Sequence, residues 1–535
     1  MNKKIYFGGP IITMNQRQPF VESVGVLDDK IIAIGNFKEV KKKLEKDYEL
    51  VNLEGNSLFP GFIDSHFHII TNLFFFIFLD LYAVKSLTEL QSVLKEAAKN
   101  KKKGDFILGL RFNEENFTES QSRVLPNRYD LDKACSDNPV FIIRYDGHIG
   151  IANSKALEIA DINNSTIPPA GGEILKENGN INGVLTEKAT SLVISKIPLP
   201  DSTEINNSAL KAFKFLAEKG ITSIHGVVEL DSKGGVSNLG GIEIPLLKNI
   251  KENILQDWYG LIYTANPKKL QRIKNPPLDD NKKYSKFKVN CLKCWLDGTF
   301  GARTACMYEP FSDQPDKTGF FVINIDELYE RMKKAHNLGF QIAIHAIGDK
   351  ANRMVVDLYK KLLLECPREN HRHRIEHASM LTKDVLKYVK ELKLILSCQP
   401  PFINSEYTWL EKRLGKKRCE YTYPFKSIID AGIILAAGSD GPVENPSVID
   451  GLHAMVNRNG FIPNECISIE EALKAYTING AYAAFEEDIK GSIEVGKLAN
   501  FVILDKNLLK IPKSELRSVI VLETIIRGKT VYRKK

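Results

Sequence analysis

Four apolar, strand-like runs in the middle of this chain each stop on side chains able to hold a metal ion, and no other feature restricts the fold as much. His66 and His68 follow Leu58-Phe-Pro-Gly-Phe-Ile-Asp-Ser65, and His345 follows Phe340-Gln-Ile-Ala-Ile344. His377 closes His373-Arg-Ile-Glu-His, and Asp440 closes Gly432-Ile-Ile-Leu-Ala-Ala-Gly-Ser-Asp. On a strand, residues two apart share a face, so His66 and His68 can reach one point. Alone, such a pair is as readily chance as design. Any one of these residues could also be a satisfied core polar group, but five in step make that reading poor. Each lies at the carboxyl end of its strand, where barrel enzymes place their active sites.

Between these runs lie helical patterns such as Ile325–Leu338 and Asp349–Cys366, and a further strand-like run, Gly220-Ile-Thr-Ser-Ile-His225. The alternation predicts a parallel sheet, open or closed, from about 59 to 487. A stretch from about 70 to 200 breaks the rhythm with irregular polar segments. It reads as an insertion after the first strand, placed to cover a site. Both ends differ from the middle. Residues 1–58 and 488–535 alternate short apolar runs with Gly- and Asp-rich turns, and neither end is long enough to bury much alone. The expectation is one discontinuous β-domain assembled from both termini.

Composition excludes more than it identifies. At 535 residues the chain could hold roughly three or four domains of ~150 residues. A net charge of +8 is dilute over that length, and its concentrations at Lys41–Lys43, Lys101–Lys103 and Arg533–Lys535 are short. Neither nucleic acid nor a membrane surface is expected as a partner. The longest apolar run, Ile69 to Leu79, is broken by Thr71 and Asn72, short of the ~20 residues a bilayer span needs. The amino-terminal segment has no continuous apolar stretch to serve as a secretory leader. Eight scattered cysteines suit a reducing cytoplasm. Cys291 and Cys294 fall in a strand-like run, Phe287 to Leu296. Three apart, they would point to opposite faces, which favours a structural role over a redox or zinc pair. Gly234–Gly241 matches no nucleotide-binding motif.

The chain resembles the amidohydrolase superfamily, and within it the amidohydrolase-3 group. The matching stretches are Phe59-Pro-Gly-Phe-Ile-Asp-Ser-His-Phe-His68, Asp146-Gly-His148, Lys293-Cys-Trp-Leu-Asp-Gly-Thr-Phe-Gly-Ala-Arg-Thr-Ala305, His345-Ala-Ile-Gly-Asp349, His373-Arg-Ile-Glu-His-Ala378, Gly438-Ser-Asp-Gly-Pro-Val-Glu444 and Gly491-Ser-Ile-Glu-Val-Gly-Lys-Leu-Ala-Asn-Phe501. The resemblance implies a distorted TIM (β/α)8 barrel with a β-sandwich built from both termini. It implies His66 and His68 as ligands of a buried metal, and His345 and His377 as ligands of a second. Asp440 would both ligate and shuttle the proton. Lys293 falls where the family carries a bridging lysine carboxylated by carbon dioxide. The implied cofactor is a pair of Zn2+ ions, with one metal as the alternative. A buried lysine paired with Asp297 or Asp440 is the plainer reading of Lys293.

Asp146, His148 and Arg303 match substrate-pocket elements, and His225 is similarly placed; each reads equally well as a loop anchor or a satisfied core histidine. His336, His371 and His373 read as bystanders. One departure is visible, Asn500 where the motif usually carries aspartate. The activity implied is metal-dependent hydrolysis of a non-peptide C–N bond in a small molecule. A same-scaffold deaminase or esterase, or a non-catalytic regulatory protein of this fold, are the alternatives. A homodimer would suit the superfamily.

Overall fold

The computed structural model describes residues 2–114, 117, 125–145, 149–169, 172–231, 241–274 and 284–535. Its central sheet has eight parallel strands: β1 (Phe62–His68), β2 (Ile221–Glu229), β3 (Asp257–Tyr263), β4 (Phe287–Trp295), β5 (Gln341–Ala346), β6 (Arg374–His377), β7 (Ile395–Cys398) and β8 (Leu435–Ala437). Strands pair with their neighbours in chain order. The last returns to the first, since Asp440 N donates to His66 O and His68 N donates to Gly441 O, each at 2.8 Å. A parallel bridge between Phe67 and Gly441 completes the seam. The sheet is a distorted TIM barrel.

Physical chemistry of the sequence accounts for this. Strands covered on both faces read as continuous apolar runs, and β2 and β3 are buried at every position. The intervening helices are amphipathic. Ile325–Asn337, for example, starts at Asn324, whose side chain accepts from Asp326 N and Glu327 N, and it buries Leu328, Met332 and Ala335 on one face.

At the seam, Gly438 lets β8 lie close on β1. A Cβ there would fall 2.5 Å from His66 N and 2.7 Å from Asp64 Oδ1. Asp64 clamps the same joint, accepting from Ser439 Oγ at 2.6 Å, Ser439 N at 3.0 Å and His66 N at 3.1 Å. Because the clash is with backbone, Gly438→Ala should destabilise the fold by about 1–3 kcal/mol. A melting temperature equal to wild type would contradict this.

Strands from both ends of the chain share one six-stranded sheet, in which Phe501–Leu504 pairs antiparallel with Ser57–Pro60, and Ile11–Ile12 lies on the other side. A four-stranded sheet of Lys3–Phe7, Ser23–Leu27, Lys30–Gly35 and Glu49–Asn52 accompanies it, and Tyr6, Val24, Leu58, Phe501 and Ile525 share one core. Asn500 has a physical reason to be an amide. Its Oδ1 accepts from Arg527 N at 2.8 Å while its Nδ2 donates to Asp257 Oδ2 at 3.2 Å, which a carboxylate could not do.

Residues 73–208 form a separate compact unit. It is more regular than its polar sequence suggests. A six-stranded sheet (Leu79–Asp80, Ile107–Phe112, Val140–Arg144, Ile149–Ala152, Asn180–Glu187, Gly172–Glu177) carries an apolar cluster on each face, Ile142 facing one and Phe141 the other. Among the described residues, no helix is long and apolar enough to cross a membrane.

Candidate active site

The carboxyl ends of the barrel strands carry the candidate ligands. His66, His377 and Asp440 converge, each offering one ligand atom within 4.8 Å of the others. His68 Nε2 lies 3.1 Å and His66 Nε2 3.4 Å from Asp440 Oδ1. The ring of His345 sits 4.3 Å from that of His377, and the His66 and His377 rings are 4.9 Å apart. His377 and Asp440 both adopt left-handed backbone, with φ of 67° and 60°. Non-glycine residues held there cluster at functional sites.

The protonation pattern is what makes this group unusual. His66 Nδ1 donates to Glu376 Oε2, which is acceptor-only as a carboxylate. Burial holds the His66 imidazole neutral by pushing its pKa down to about 4. Its Nε2 is therefore a bare lone pair, fully buried and facing the carboxylate of Asp440. Two acceptors pointed at each other need a cation between them or nearby. His377 Nδ1 is likewise buried without a hydrogen-bond partner. Burial would raise the Asp440 pKa, but the His68 hydrogen bond and the nearby charges hold it below its ordinary value.

Lys293, on β4, is fully buried and its Nζ has no hydrogen-bond partner among the described residues. Burial lowers its pKa to about 8, against the pull of Glu376 and Asp440. Burial lowers the pKa values of His66, His345 and His377, and the Lys293 charge lowers each of the three further. Asp297 does not pair with it. That carboxylate accepts from Cys306 N, Ile347 N and Gly348 N at 2.8–3.0 Å, pinning the loop after β4 to the turn after β5. The Nε2 of His345 lies 3.2 Å from Gly298 O, leaving its Nδ1 as the candidate donor atom.

Two residues that the spacing did not single out belong to this assembly. Glu376 and Arg374 are both fully buried on β6. Arg374 spans the barrel interior, donating to Ser65 O on β1 at 2.7 Å and Ser397 Oγ on β7 at 2.8 Å, and reaching His225 Nδ1 on β2 at 2.9 Å. Its Nε lies 2.7 Å from Glu376 Oε1, an ion pair too bent to count as a hydrogen bond. Strand alternation would put Glu376 and His377 on opposite faces. The left-handed turn at His377 brings both inward.

The remaining candidates are placed as follows. His225 was expected at a strand end, but β2 runs on to Glu229, so it sits mid-strand, fully buried under Arg374. Arg303, in the loop after β4, is held by Asp313 through its Nε at 3.2 Å and Nη2 at 2.9 Å, and Arg413 binds the same carboxylate. Asp146 and His148 lie outside the described residues. Cys291 and Cys294 are fully buried, and burial pushes both thiols up, Cys294 to about 11, which removes the reactive thiolate.

His336, His371 and His373 form a network of their own. His373 Nδ1 accepts from Ile342 N, its Nε2 lies 2.9 Å from His336 Nδ1, and His371 joins His373 N to Leu392 O. Burial lowers all three pKa values, His371 to about 4. The folded state thus binds fewer protons than the unfolded chain, whose histidines titrate near ~6.5. Stability should fall as pH drops from about 6.5 towards 4. His371→Asn should remove about one proton from that dependence. Identical melting-temperature slopes for variant and wild type would contradict the assignment.

Residues 49–532 match the amidohydrolase family. Putative amidohydrolase YtcJ of Bacillus subtilis is 30% identical over 99% of this chain and 100% of its own length. N-substituted formamide deformylase of Arthrobacter pascens is 25% identical, covering 98% of this chain and 97% of its own. The crystal structure of an uncharacterized metal-dependent hydrolase from Pyrococcus horikoshii superposes with a TM-score of 0.77 at 27% identity, over 96% of this chain and 99% of that one. The barrel, the converging ligand atoms and these likenesses agree: the chain belongs to the amidohydrolase family.

Proposed function

We propose that this protein is a metal-dependent hydrolase of a small-molecule substrate, cleaving a non-peptide C–N bond of amide or formamide type. The observation that carries the reading is the bare Nε2 of His66 facing the Asp440 carboxylate at 3.4 Å, a donor set that fits a divalent cation. His66, His68, His345, His377 and Asp440 would hold two Zn2+ ions or one, with Lys293 as a carbamate bridge in the two-metal case. Bound there, the metal would lower the pKa of a water towards neutrality and polarise the scissile carbonyl.

The chain's own residues supply the rest. Asp440 Oδ1 takes the attacking water's proton and returns it to the departing nitrogen. The likeness to a deformylase supports the bond type. Metal analysis of the purified protein, then a screen of N-formyl, N-acyl and cyclic amides, tests the reading. Bound divalent metal and released amine are expected. A protein that holds metal but cleaves only esters or amidines would overturn the bond assignment, and one that binds no metal would overturn the whole.

A further inference from the structure

We infer that Glu376 is a positioning residue that sets His66 as an Nε2 ligand, with Arg374 holding Glu376 in place; this rests on the metal reading above. His66 has two ring nitrogens, and a metal needs a lone pair on the one that faces the centre. Glu376 Oε2 accepts a hydrogen bond from Nδ1–H, keeping the proton on Nδ1, and so leaves Nε2 bare on the side of Asp440 and His377. A carboxylate is better than a carbonyl in this position, because its charge raises the basicity of the imidazole as well as fixing its tautomer.

A lone carboxylate could not survive in a site with no solvent exposure. Arg374 answers that cost, with Nε 2.7 Å from Oε1 and its Nη2 anchored on both Ser65 O and Ser397 Oγ, across β1 and β7. The guanidinium cannot swing away without losing those bonds. The pair occupies consecutive inward positions of β6, directly before the His377 turn. One strand therefore supplies a ligand and the group that orients another ligand from across the barrel.

The test is metal affinity rather than turnover alone. Glu376→Gln keeps the shape and loses the charge. Glu376→Asp keeps the charge beside Arg374 but withdraws it by one methylene from His66. Each variant is stripped, titrated with Zn2+ in competition with a chromophoric chelator, and reloaded with Co2+ for its visible spectrum. The expected result is a 10–100-fold weaker Zn2+ affinity in both variants, with a changed Co2+ spectrum. In Glu376→Asp the melting temperature of the metal-free protein should stay near wild type, which separates positioning from folding. Wild-type affinity and an unchanged spectrum in Glu376→Asp would overturn the inference. If wild type itself binds no divalent metal, it is the functional reading that fails.

Discussion

Asp440→Asn should abolish most turnover while leaving metal bound. The amide has the same shape but cannot accept the water's proton at neutral pH. General acid–base catalysis of this kind is worth about 10²–10⁴-fold, and a fall of that size in kcat is expected. Substrate affinity should change little, since the proton is moved only in the transition state. His66, His68, His345 and His377 remain as donors, so metal content should stay near wild type. The carboxylate's depressed pKa means that the base form is present throughout the neutral range, and the wild-type rate should decline only on the acid side. Single-turnover kinetics beside metal analysis on the same sample checks both halves. A metal-loaded variant with wild-type kcat would remove Asp440 from the mechanism.

What the linear pattern revealed, and what it hid, both follow from strand geometry. The barrel was legible because its strands are buried on both faces and so read as unbroken apolar runs, each followed by an amphipathic helix. His66 and His68 were legible because period-two spacing holds along β1. Glu376 was not, because the same rule applied to β6 sends it away from His377, and only a left-handed residue at the strand end reverses that. Nothing in the sequence marks a histidine as adopting positive φ. His225 was misplaced because Gly226 reads as a break after Ile221–Ile224, whereas β2 runs through it to Glu229. The sheet of residues 73–208 was hidden at its edges: Ile107–Phe112, Val140–Arg144 and Ile149–Ala152 are apolar runs, but the edge strands are the two-residue Leu79–Asp80 and the polar Gly172–Glu177.

Lys293→Ala should lower metal content and turnover together, with partial recovery in added short carboxylates. The reasoning starts from the environment of the amine. A fully buried Nζ with no hydrogen-bond partner is costly as an ammonium ion, and a site with cations beside it would make that charge worse. With its pKa lowered to about 8, on the order of a tenth of the side chain is neutral amine at pH 7, against less than a thousandth for an ordinary lysine near ~10.4. The neutral amine is the form that adds carbon dioxide, forming an N–C bond and releasing one proton. The product is an anion with two oxygen donors, which suits hard divalent cations. Outer-shell partners of metal ligands cost about 10–100-fold when removed, and a bridging ligand should reach at least the upper end. Formate or acetate can enter the space left by the side chain and supply the missing oxygens. Loading should also depend on pH. Protein stripped and held near pH 6 without bicarbonate should regain activity slowly, and faster with bicarbonate at pH 8, where half of the amine is neutral. Metal stoichiometry by plasma emission, measured for variant and wild type with and without formate, decides the matter. An alanine variant with its full metal complement would leave Lys293 as a buried structural amine, and the two-metal bridge would have to be abandoned.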